Sequence, residues 1–441
     1  MRIVDVRGRT HTKREYQSLL PRAEMDIESA LKTIEPVLAA VKDGNDSTLQ
    51  ELSLKFDGIA PTQLKVPQEI IDDAVNSLHP SLKATIVEAI RRVRIVHRDQ
   101  IRGVTTSRVV DGGEVEERWI PVDRVGLYVP GGKAVYPSSV IMNVVPAQIA
   151  GVPSIAIASP PQKDNDGWPN QTILATASLL GITEIYAMGG AQAVAAFAYG
   201  VRTKDKEVVA PVDLVTGPGN IYVAAAKRAL RGKIGIDSEA GPTEIAIVAD
   251  ESAIAREVAA DLISQAEHDT IAAAVLITNS VELAQSVQSE VLKRSQRTKH
   301  SSRITEALQG IQSAIVLTDS VEQSLEVANA YAAEHLELIV EDPKSVSLKI
   351  RNAGAVFLGR FAPVSLGDYL AGSNHVLPTG GCACHSSGLS VQTFLRGLHF
   401  VHYNERALRD VASSVISFAN AEDLPAHGEA IAVRFDNGEG K

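Results

Sequence analysis

The spacing of apolar residues changes along the chain, from helical periodicity to an alternation of strands and helices. In Ile27–Val41, apolar side chains recur every three or four residues, which predicts a helix with one buried face. The same periodicity predicts helices near Gln68–Leu78 and Ser81–Arg98. Val104–Val122 contains two strand-like segments on either side of Asp111-Gly112-Gly113, a sequence typical of a hairpin turn.

From about residue 124, short apolar runs alternate with glycine turns and helices, which indicates parallel βαβ units. A first series of strands is predicted at Val125–Val129, Ser154–Ala158, Glu184–Ala187 and Val212–Thr216. A second series is predicted at Thr243–Val248, Ala273–Ile277, Ala314–Leu317, Leu336–Val340 and Ala355–Leu358. We therefore expect two α/β units with a boundary near Gly235–Gly241. A strand at Val391–Val401 and a helix at Arg406–Ala419 follow them.

Composition narrows the class of protein. The 441 residues are 45% hydrophobic and 22% charged, as in ordinary globular proteins. A net charge of −10 argues against a general nucleic-acid binder, and two cysteines fit a reducing compartment. The start of the chain lacks the apolar core of a signal peptide, and prolines and a glycine interrupt the most apolar stretch, Val144–Ala158. We expect a cytoplasmic protein without a membrane span.

Three glycine turns follow strands of the first series. They are Pro130-Gly131-Gly132, Gly189-Gly190-Ala191-Gln192 and Gly217-Pro218-Gly219-Asn220. Helix N-termini at the carboxyl ends of parallel strands present free N–H groups that bind phosphate. None of the turns forms the GxGxxG fingerprint, so each one alone is better explained as a structural turn. Three of them in one α/β unit favour a phosphate-bearing ligand.

Two polar pairs suggest chemistry at helix ends. Gln265 and His268 are three residues apart on one helix face and could both ligate a divalent metal. Alternatively, His268 and Asp269 cap the helix C-terminus. Glu334 and His335 lie where a helix leads into a strand, and there they could act as proton acceptors. A solvated polar helix end is the alternative for this second pair.

A glycine-rich segment at residues 363–378 contains Asp368 and His375, and such a loop in a large α/β chain is often part of a site. Cys382 and Cys384 form a CxC sequence next to His385, which is weak for zinc, so two thiols without a metal are favoured. The HExxH, GxSxG and Walker patterns are absent from the sequence, which argues against the hydrolase and NTPase classes that carry them.

Long motifs carry a resemblance to a known family over nearly the whole chain. They are GLYVPGG at 126–132, GGAQAVAAFAYG at 189–200, GPGN at 217–220, LISQAEHD at 262–269, AEHLEL at 333–338, SLGDYLAGSNHVLPTGG at 365–381 and the tail segment 422–427. In this order they resemble the histidinol dehydrogenase family. The resemblance implies an NAD-dependent oxidation of L-histidinol through L-histidinaldehyde to L-histidine, in histidine biosynthesis. It also implies that each turnover uses two NAD and one water, and that each subunit holds one zinc ion.

The resemblance also implies roles for individual residues. The zinc ligands would be Gln265, His268, Asp368 and His427. The substrate contacts would be these four together with Thr243, His335, His375 and Glu422. The NAD contacts would be Tyr128, Gln192 and Asn220. His335 would take a proton in both oxidations, and Glu334 would deprotonate the water that adds to the aldehyde.

In this family the fold consists of two Rossmann-like α/β domains with extended N- and C-terminal arms in an intertwined homodimer. The predicted parts are an N-terminal arm at 1–24, a first domain at 25–124 and 243–390, an NAD-binding domain at 125–242, and a C-terminal arm at 391–441. The first domain would carry the zinc and catalytic residues, and Glu422 and His427 would complete the partner's site.

Thr243 stands where a serine is usual in the family, but a hydroxyl is retained.

Three other functions compete with this assignment. A related zinc and NAD dehydrogenase would oxidise another primary alcohol, a zinc-dependent hydrolase would turn over without NAD, and a binding protein would have no catalysis. No nucleic-acid or membrane partner is expected.

Overall fold

The computed structural model describes residues 1–23, 25–131, 135–203, 206–239 and 241–436. The chain forms two compact units. The first contains Met1–Gln100 and Val122–Phe394, and the second contains Ile101–Pro121 together with the chain from Leu395 onward. Within the described ranges, no helix combines the length and the apolarity needed to cross a bilayer.

Parallel strands form both large sheets of the first unit. In chain order the strands are β1 (Arg2–Asp5), β2 (Thr105–Val110), β3 (Gly113–Pro121), β4 (Arg124–Tyr128), β5 (Ser154–Ser159), β6 (Ile185–Ala187), β7 (Val201–Arg202), β8 (Glu207–Val209), β9 (Leu214–Thr216), β10 (Gly235–Ile236), β11 (Glu244–Ala249), β12 (Ala273–Thr278), β13 (Ala314–Leu317), β14 (His335–Ile339), β15 (Ala355–Leu358) and β16 (Leu395–Tyr403). One sheet has the order β1-β13-β12-β11-β14-β15 and the other β10-β9-β4-β5-β6. All pairs in both sheets are parallel, so the predicted α/β class is confirmed.

Helices separate most of these strands, and short polar side chains cap the N-termini of many of these helices. In chain order the helices are α1 (Lys13–Leu19), α2 (Ile27–Asp43), α3 (Asp46–Phe56), α4 (Gln68–Ser77), α5 (Pro80–Arg98), α6 (Pro137–Ala150), α7 (Gln171–Leu179), α8 (Gly190–Tyr199), α9 (Ile221–Leu230), α10 (Ala255–Ala266), α11 (Val281–Ser295), α12 (Ser301–Gln309), α13 (Val321–Tyr331), α14 (Pro343–Ser347), α15 (Val364–Tyr369), α16 (Glu405–Ala421) and α17 (Pro425–Ala432). The side chains of Asp26, Asn45 and Ser280 accept bonds from free N–H groups at the starts of α2, α3 and α11.

The six-stranded sheet is buried on both faces, which explains the continuous apolar runs of its central strands. Along β11, Ile245 and Ile247 pack into the cluster that includes α10, α11 and α12. Ala246 and Val248 point to the other cluster, which includes α1 and α13. Because successive side chains of a strand face opposite ways, this alternation is the expected consequence of two covering layers.

The N-terminal segment belongs to this sheet, so the prediction of an extended arm at 1–24 is wrong. β1 pairs in parallel with β13 along the edge of the sheet. Val4, Val6, Tyr16 and Leu20 are buried in the α1–α13 cluster. These apolar residues are too few and too widely spaced to show periodicity in the sequence, but they suffice to cover the edge of a sheet.

The five-stranded sheet is also covered on both faces, partly by helices that were predicted to belong elsewhere. Buried residues of α4, α5, α6 and α7 form one cluster with Leu127. Buried residues of α2, α8 and α9 form the other, with Tyr128. The predicted first domain, 25–124 with 243–390, is therefore wrong in its first part, because the helices between residues 27 and 98 pack with strands of 125–242.

The second unit is built on an antiparallel sheet of order β16-β3-β2. The predicted hairpin is present as β2 and β3, and β16 pairs with β3 along its full length. The hairpin thus belongs with the C-terminal segment and not with the predicted first domain. The predicted strand at Val391–Val401 begins later, because Val391–Phe394 forms a short 3-10 helix in the first unit.

Candidate active site

The catalytic candidates lie at the amino ends of two neighbouring strands of the six-stranded sheet. Thr243 directly precedes β11, and Glu334 directly precedes β14, whose first residue is His335. The register pairs Ile245 with His335, so the starts of both strands are side by side. The site therefore lies at the edge opposite to the carboxyl ends, where parallel α/β sheets usually bind ligands.

Two donors hold the Glu334 carboxylate in this position. Its Oε2 accepts a hydrogen bond from the Thr243 hydroxyl at 2.6 Å and another from the Glu244 backbone N–H at 2.9 Å. Burial raises the pKa of Glu334 to about 7, although both hydrogen bonds oppose the shift. A carboxyl group with this pKa can accept and release a proton near neutral pH.

His335 is buried with one ring nitrogen engaged and the other without a partner. Its Nδ1 lies 3.1 Å from the carbonyl oxygen of Glu244 and 3.6 Å from Oε2 of Glu334. A carbonyl only accepts, so we assign the proton to Nδ1. The buried Nε2, which has no hydrogen-bond partner among the described residues, then carries the free lone pair. Burial lowers the pKa of His335, which keeps the ring neutral and available as a base.

A directed chain of hydrogen bonds connects α10 to Glu334. The Gln265 side-chain Nε2 donates to the Thr243 hydroxyl at 2.5 Å, and that hydroxyl donates in turn to Glu334. Because the nitrogen of the Gln265 amide is used in this way, its oxygen is the atom left for a cation. The predicted alternative of a solvated helix end does not fit Glu334 and His335, which are both buried.

The segment with Asp368 and His375 supplies the remaining side chains of the site. His375 Nδ1 lies 3.0 Å from the backbone oxygen of Asp368, and its Nε2 lies 3.3 Å from the Ser139 hydroxyl. Burial lowers the pKa of His375, and the negative charge of Asp368 opposes that shift. Asp368 also raises the pKa of Glu334, whereas His268 lowers it. These charges act on one another, so one site contains them all.

The donors in this cluster are of the kinds that zinc accepts: an amide oxygen of Gln265, an imidazole of His268 and a carboxylate of Asp368. Asp368 places a negative charge near Glu334. A bound cation would compensate that charge. In the described part of the chain, no group of three or more His, Cys, Asp or Glu side chains is arranged to hold a metal. Of the three named donors, His268 and Asp368 are of those four types and Gln265 is not.

The two predicted tail residues lie in the second unit. Glu422 directly follows α16 and His427 is in α17, and both are exposed. The cysteines are free, with Cys382 half-buried and Cys384 exposed. Burial raises the pKa of the Cys382 thiol.

The three predicted NAD residues lie at the carboxyl edge of the five-stranded sheet. The hydroxyl of Tyr128, at the end of β4, accepts from the N–H of Gly190 at 3.1 Å, and burial raises its pKa to about 12. Gln192 is buried in the first turn of α8, and its Nε2 lacks a partner among the described residues. Asn220 caps α9 by accepting from two backbone N–H groups.

The glycine turns permit a close approach of the backbone. Gly217 has φ +113°, and a Cβ there would clash with the carbonyl oxygen of Tyr128. Gly190, at the start of α8, has φ +57°. Gly132 of the first predicted turn lies outside the described residues.

Sequence reasoning missed an ion pair beneath the catalytic cluster. Arg22 Nε lies 2.5 Å from Oε1 of Glu244, and its guanidinium lies 4.2 Å from the centre of the Tyr331 ring. Burial raises the pKa of Glu244 to about 7, and Arg22 opposes the shift. A glutamate at the start of the apolar run of β11 was the available signal, but its partner is 222 residues away.

Comparisons with known proteins agree on one family. A family model described as histidinol dehydrogenase matches residues 20–435. The histidinol dehydrogenase of Thermobifida fusca is 58% identical over 436 residues, which covers 99% of this chain and 98% of that protein. That of Nocardia farcinica is 57% identical over 433 residues, covering 98% and 97%. The crystal structure of histidinol dehydrogenase from Elizabethkingia anophelis is similar with a TM-score of 0.90 and 33% identity, covering 98% of both chains.

Proposed function

The chain belongs to the histidinol dehydrogenase family, and we propose that it oxidises L-histidinol through L-histidinaldehyde to L-histidine with two NAD per turnover. The observation that carries the proposal is the buried pair Glu334–His335, in which an unpartnered imidazole nitrogen and a carboxyl group of raised pKa lie side by side. One such pair provides the two bases that an alcohol oxidation followed by an aldehyde hydration requires.

In the first oxidation, His335 Nε2 takes the proton of the substrate hydroxyl while the carbinol carbon loses a hydride. The Glu244 carbonyl fixes the ring by accepting from Nδ1–H, and the same contact stabilises the imidazolium that forms. The low pKa of His335 makes this proton easy to release to solvent between steps. NAD, when bound, supplies the hydride acceptor in both oxidations.

In the second oxidation, Glu334 deprotonates the water that adds to the aldehyde. Its Oε2 is occupied by Thr243 and Glu244, which leaves Oε1 as the proton acceptor. The hydrated aldehyde then has a hydroxyl like that of the alcohol, and His335 takes its proton as the second hydride leaves. Base catalysis of this kind contributes roughly 10²- to 10⁴-fold to each step.

We assign one zinc ion per subunit to Gln265, His268 and Asp368, with the fourth ligand from His427 of the partner subunit. When bound, the ion would supply positive charge that orients the amino and imidazole groups of the substrate. Its charge would offset the negative charge of Asp368 that raises the pKa of Glu334. Thr243 and His375 line the same cluster and would contact the substrate, together with Glu422 of the partner subunit.

The NAD site is proposed at the carboxyl edge of the five-stranded sheet, with Tyr128, Gln192 and Asn220 as contacts. Nε2 of Gln192, which has no partner within the described part of the chain, supports this, because a buried amide without a hydrogen bond is costly unless a ligand satisfies it. The start of α8 adds free N–H groups that suit the pyrophosphate.

A homodimer with shared sites is supported by apolar surface in both units. In the second unit, Phe418 is 73% exposed on α16, whose only buried residues are Ala407 and Ala419. In the first unit, Tyr369 next to Asp368 is 58% exposed and Phe361 is 84% exposed. The proposed dimer would cover these side chains, because apolar surface that is contiguous marks a partner-binding site.

The stoichiometry of product formation tests the proposed function. The purified protein, loaded with zinc, is incubated with limiting L-histidinol and excess NAD, and NADH and histidine are both quantified. Two NADH for each histidine support the proposal. One NADH with aldehyde as the product would indicate a different alcohol dehydrogenase, and product without NADH would indicate a hydrolase.

A further inference from the structure

Asp57 carries a carboxylate that nothing in the proposed reaction uses. It follows the last residue of α3, and its Oδ2 is buried without a hydrogen-bond partner among the described residues. Burial raises the pKa of Asp57 to about 6. An acceptor that is buried and unsatisfied is costly, and in native proteins it usually has a ligand, ion or water as its partner.

The carboxylate faces the glycine turn that begins α8. A Cβ at Gly189 would lie 3.1 Å from Oδ1 of Asp57, so this carboxylate oxygen lies directly against the turn. The next residue, Gly190, donates its N–H to the Tyr128 hydroxyl, and the negative charge of Asp57 acts on Tyr128. Gln192 adds a buried donor that finds no partner in the residues that the structure describes. Asp57 therefore lies beside the turn that holds two of the three proposed NAD contacts, Tyr128 and Gln192.

A ribose is the part of NAD that suits an isolated carboxylate. Its two adjacent hydroxyls are donors that can satisfy the carboxylate oxygens, whereas a pyrophosphate would be repelled. In dinucleotide-binding α/β folds, a carboxylate at this edge of the sheet typically accepts from the 2′-hydroxyl of the adenosine ribose.

Sheet order indicates which ribose reaches Asp57. The turn at Gly189 follows β6, the strand at one edge of the five-stranded sheet, and β10 is the strand at the opposite edge. Thr243, in the catalytic cluster, follows Ile236, the end of β10, closely in the sequence. The nicotinamide must approach that cluster, so the adenosine half extends toward β6 and Asp57.

We propose that Asp57 accepts a hydrogen bond from the 2′-hydroxyl of the NAD adenosine ribose and thereby selects NAD over NADP. A phosphate at that hydroxyl would remove the donor and bring a second negative charge against a buried carboxylate. The inference rests on the proposed function, because it assumes that NAD is the cofactor of this site.

Binding of the dinucleotides, measured by calorimetry without histidinol, tests the inference independently of turnover. The full-length protein and the variants Asp57→Asn and Asp57→Ala are titrated with NAD, with NADP and with NAD that lacks the adenosine 2′-hydroxyl. Asp43→Asn, an exposed aspartate at the end of α2, is the matched control. Circular dichroism and urea unfolding verify that each variant is folded.

We expect Asp57→Ala to weaken NAD binding on the order of tenfold or more, since a hydrogen bond to a charged group contributes about 1.5–3 kcal/mol. NADP binding should stay equal or strengthen, and the 2′-deoxy analogue should bind wild type and variant alike. Unchanged NAD affinity, or equal weakening for all three dinucleotides in folded Asp57→Asn, would overturn the inference. If the wild-type protein binds no NAD at all, the proposed function itself fails.

Discussion

Replacing Glu334 with glutamine should separate the two oxidations, because only hydration of the aldehyde requires a carboxylate base. The glutamine carbonyl oxygen can take the place of Oε2 and accept from the Thr243 hydroxyl and the Glu244 N–H. The amide nitrogen then occupies the position of Oε1 and cannot accept a proton. The variant is therefore expected to fold normally while losing one chemical function.

The expected loss follows from the value of a general base. Oxidation of the aldehyde should slow by roughly 10²- to 10⁴-fold, whereas the first hydride transfer, which depends on His335, should be nearly normal. The pKa of Glu334, about 7, sets the pH dependence. Because the ionised form is the base, the second oxidation in the wild type should accelerate as pH rises through about 7 and then level off. The Glu334→Gln variant should lack this rise.

Single-turnover kinetics with NADH as the signal measure both steps. L-histidinol as substrate reports the first oxidation, and L-histidinaldehyde reports the second. Glu341→Gln, at an exposed position just beyond β14, is the control for a glutamate-to-glutamine change. Equal losses in both half-reactions of the Glu334 variant would refute the assignment of this residue to hydration.

Three further predictions concern zinc, subunits and stability. Changing Cys382 and Cys384 to alanine should keep most activity and all zinc, and a metal analysis showing zinc lost with the thiols would contradict the ligand assignment. Inactive His427→Ala and His268→Ala proteins, unfolded and refolded together, should recover roughly a quarter of wild-type activity, since about half of the random pairs contain one intact shared site. No recovery would mean that each chain builds its own site. Arg22→Met should lower the free energy of unfolding by about 3 kcal/mol, because it leaves a buried carboxylate without its partner. A loss below about 1 kcal/mol in urea unfolding would show that the pair is effectively a surface contact.

The central strands of the two sheets were predictable because burial on both faces leaves a continuous apolar run, whereas the edge strands β1 and β10 were not predicted. Ala314–Leu317, which is buried along its whole length, has the predicted bounds, and so does the partly exposed edge strand Ala355–Leu358. The division into domains was not predictable to the same degree. A helix such as Ile27–Asp43 shows by its periodicity that one face is buried, but not which sheet covers it.

The candidate site was partly visible because some of its members are close in sequence. Gln265 and His268 are three residues apart, although α10 ends at Ala266 and His268 lies just beyond it, and Glu334 and His335 are adjacent. Their geometry was not visible, since the hydrogen bond from Thr243 to Glu334 spans 91 positions. Asp57 gave no signal, because a carboxylate after a polar helix is ordinary until folding buries it against Gly189.

The central claim is that the free Nε2 of His335 is the base in both oxidations. The most direct test is His335→Asn, which retains a polar side chain without a basic nitrogen, assayed in single turnovers with L-histidinol and with L-histidinaldehyde. The account predicts that both rates fall by roughly 10²- to 10⁴-fold while NAD binding is unchanged. A variant in which either half-reaction keeps its wild-type rate would contradict it.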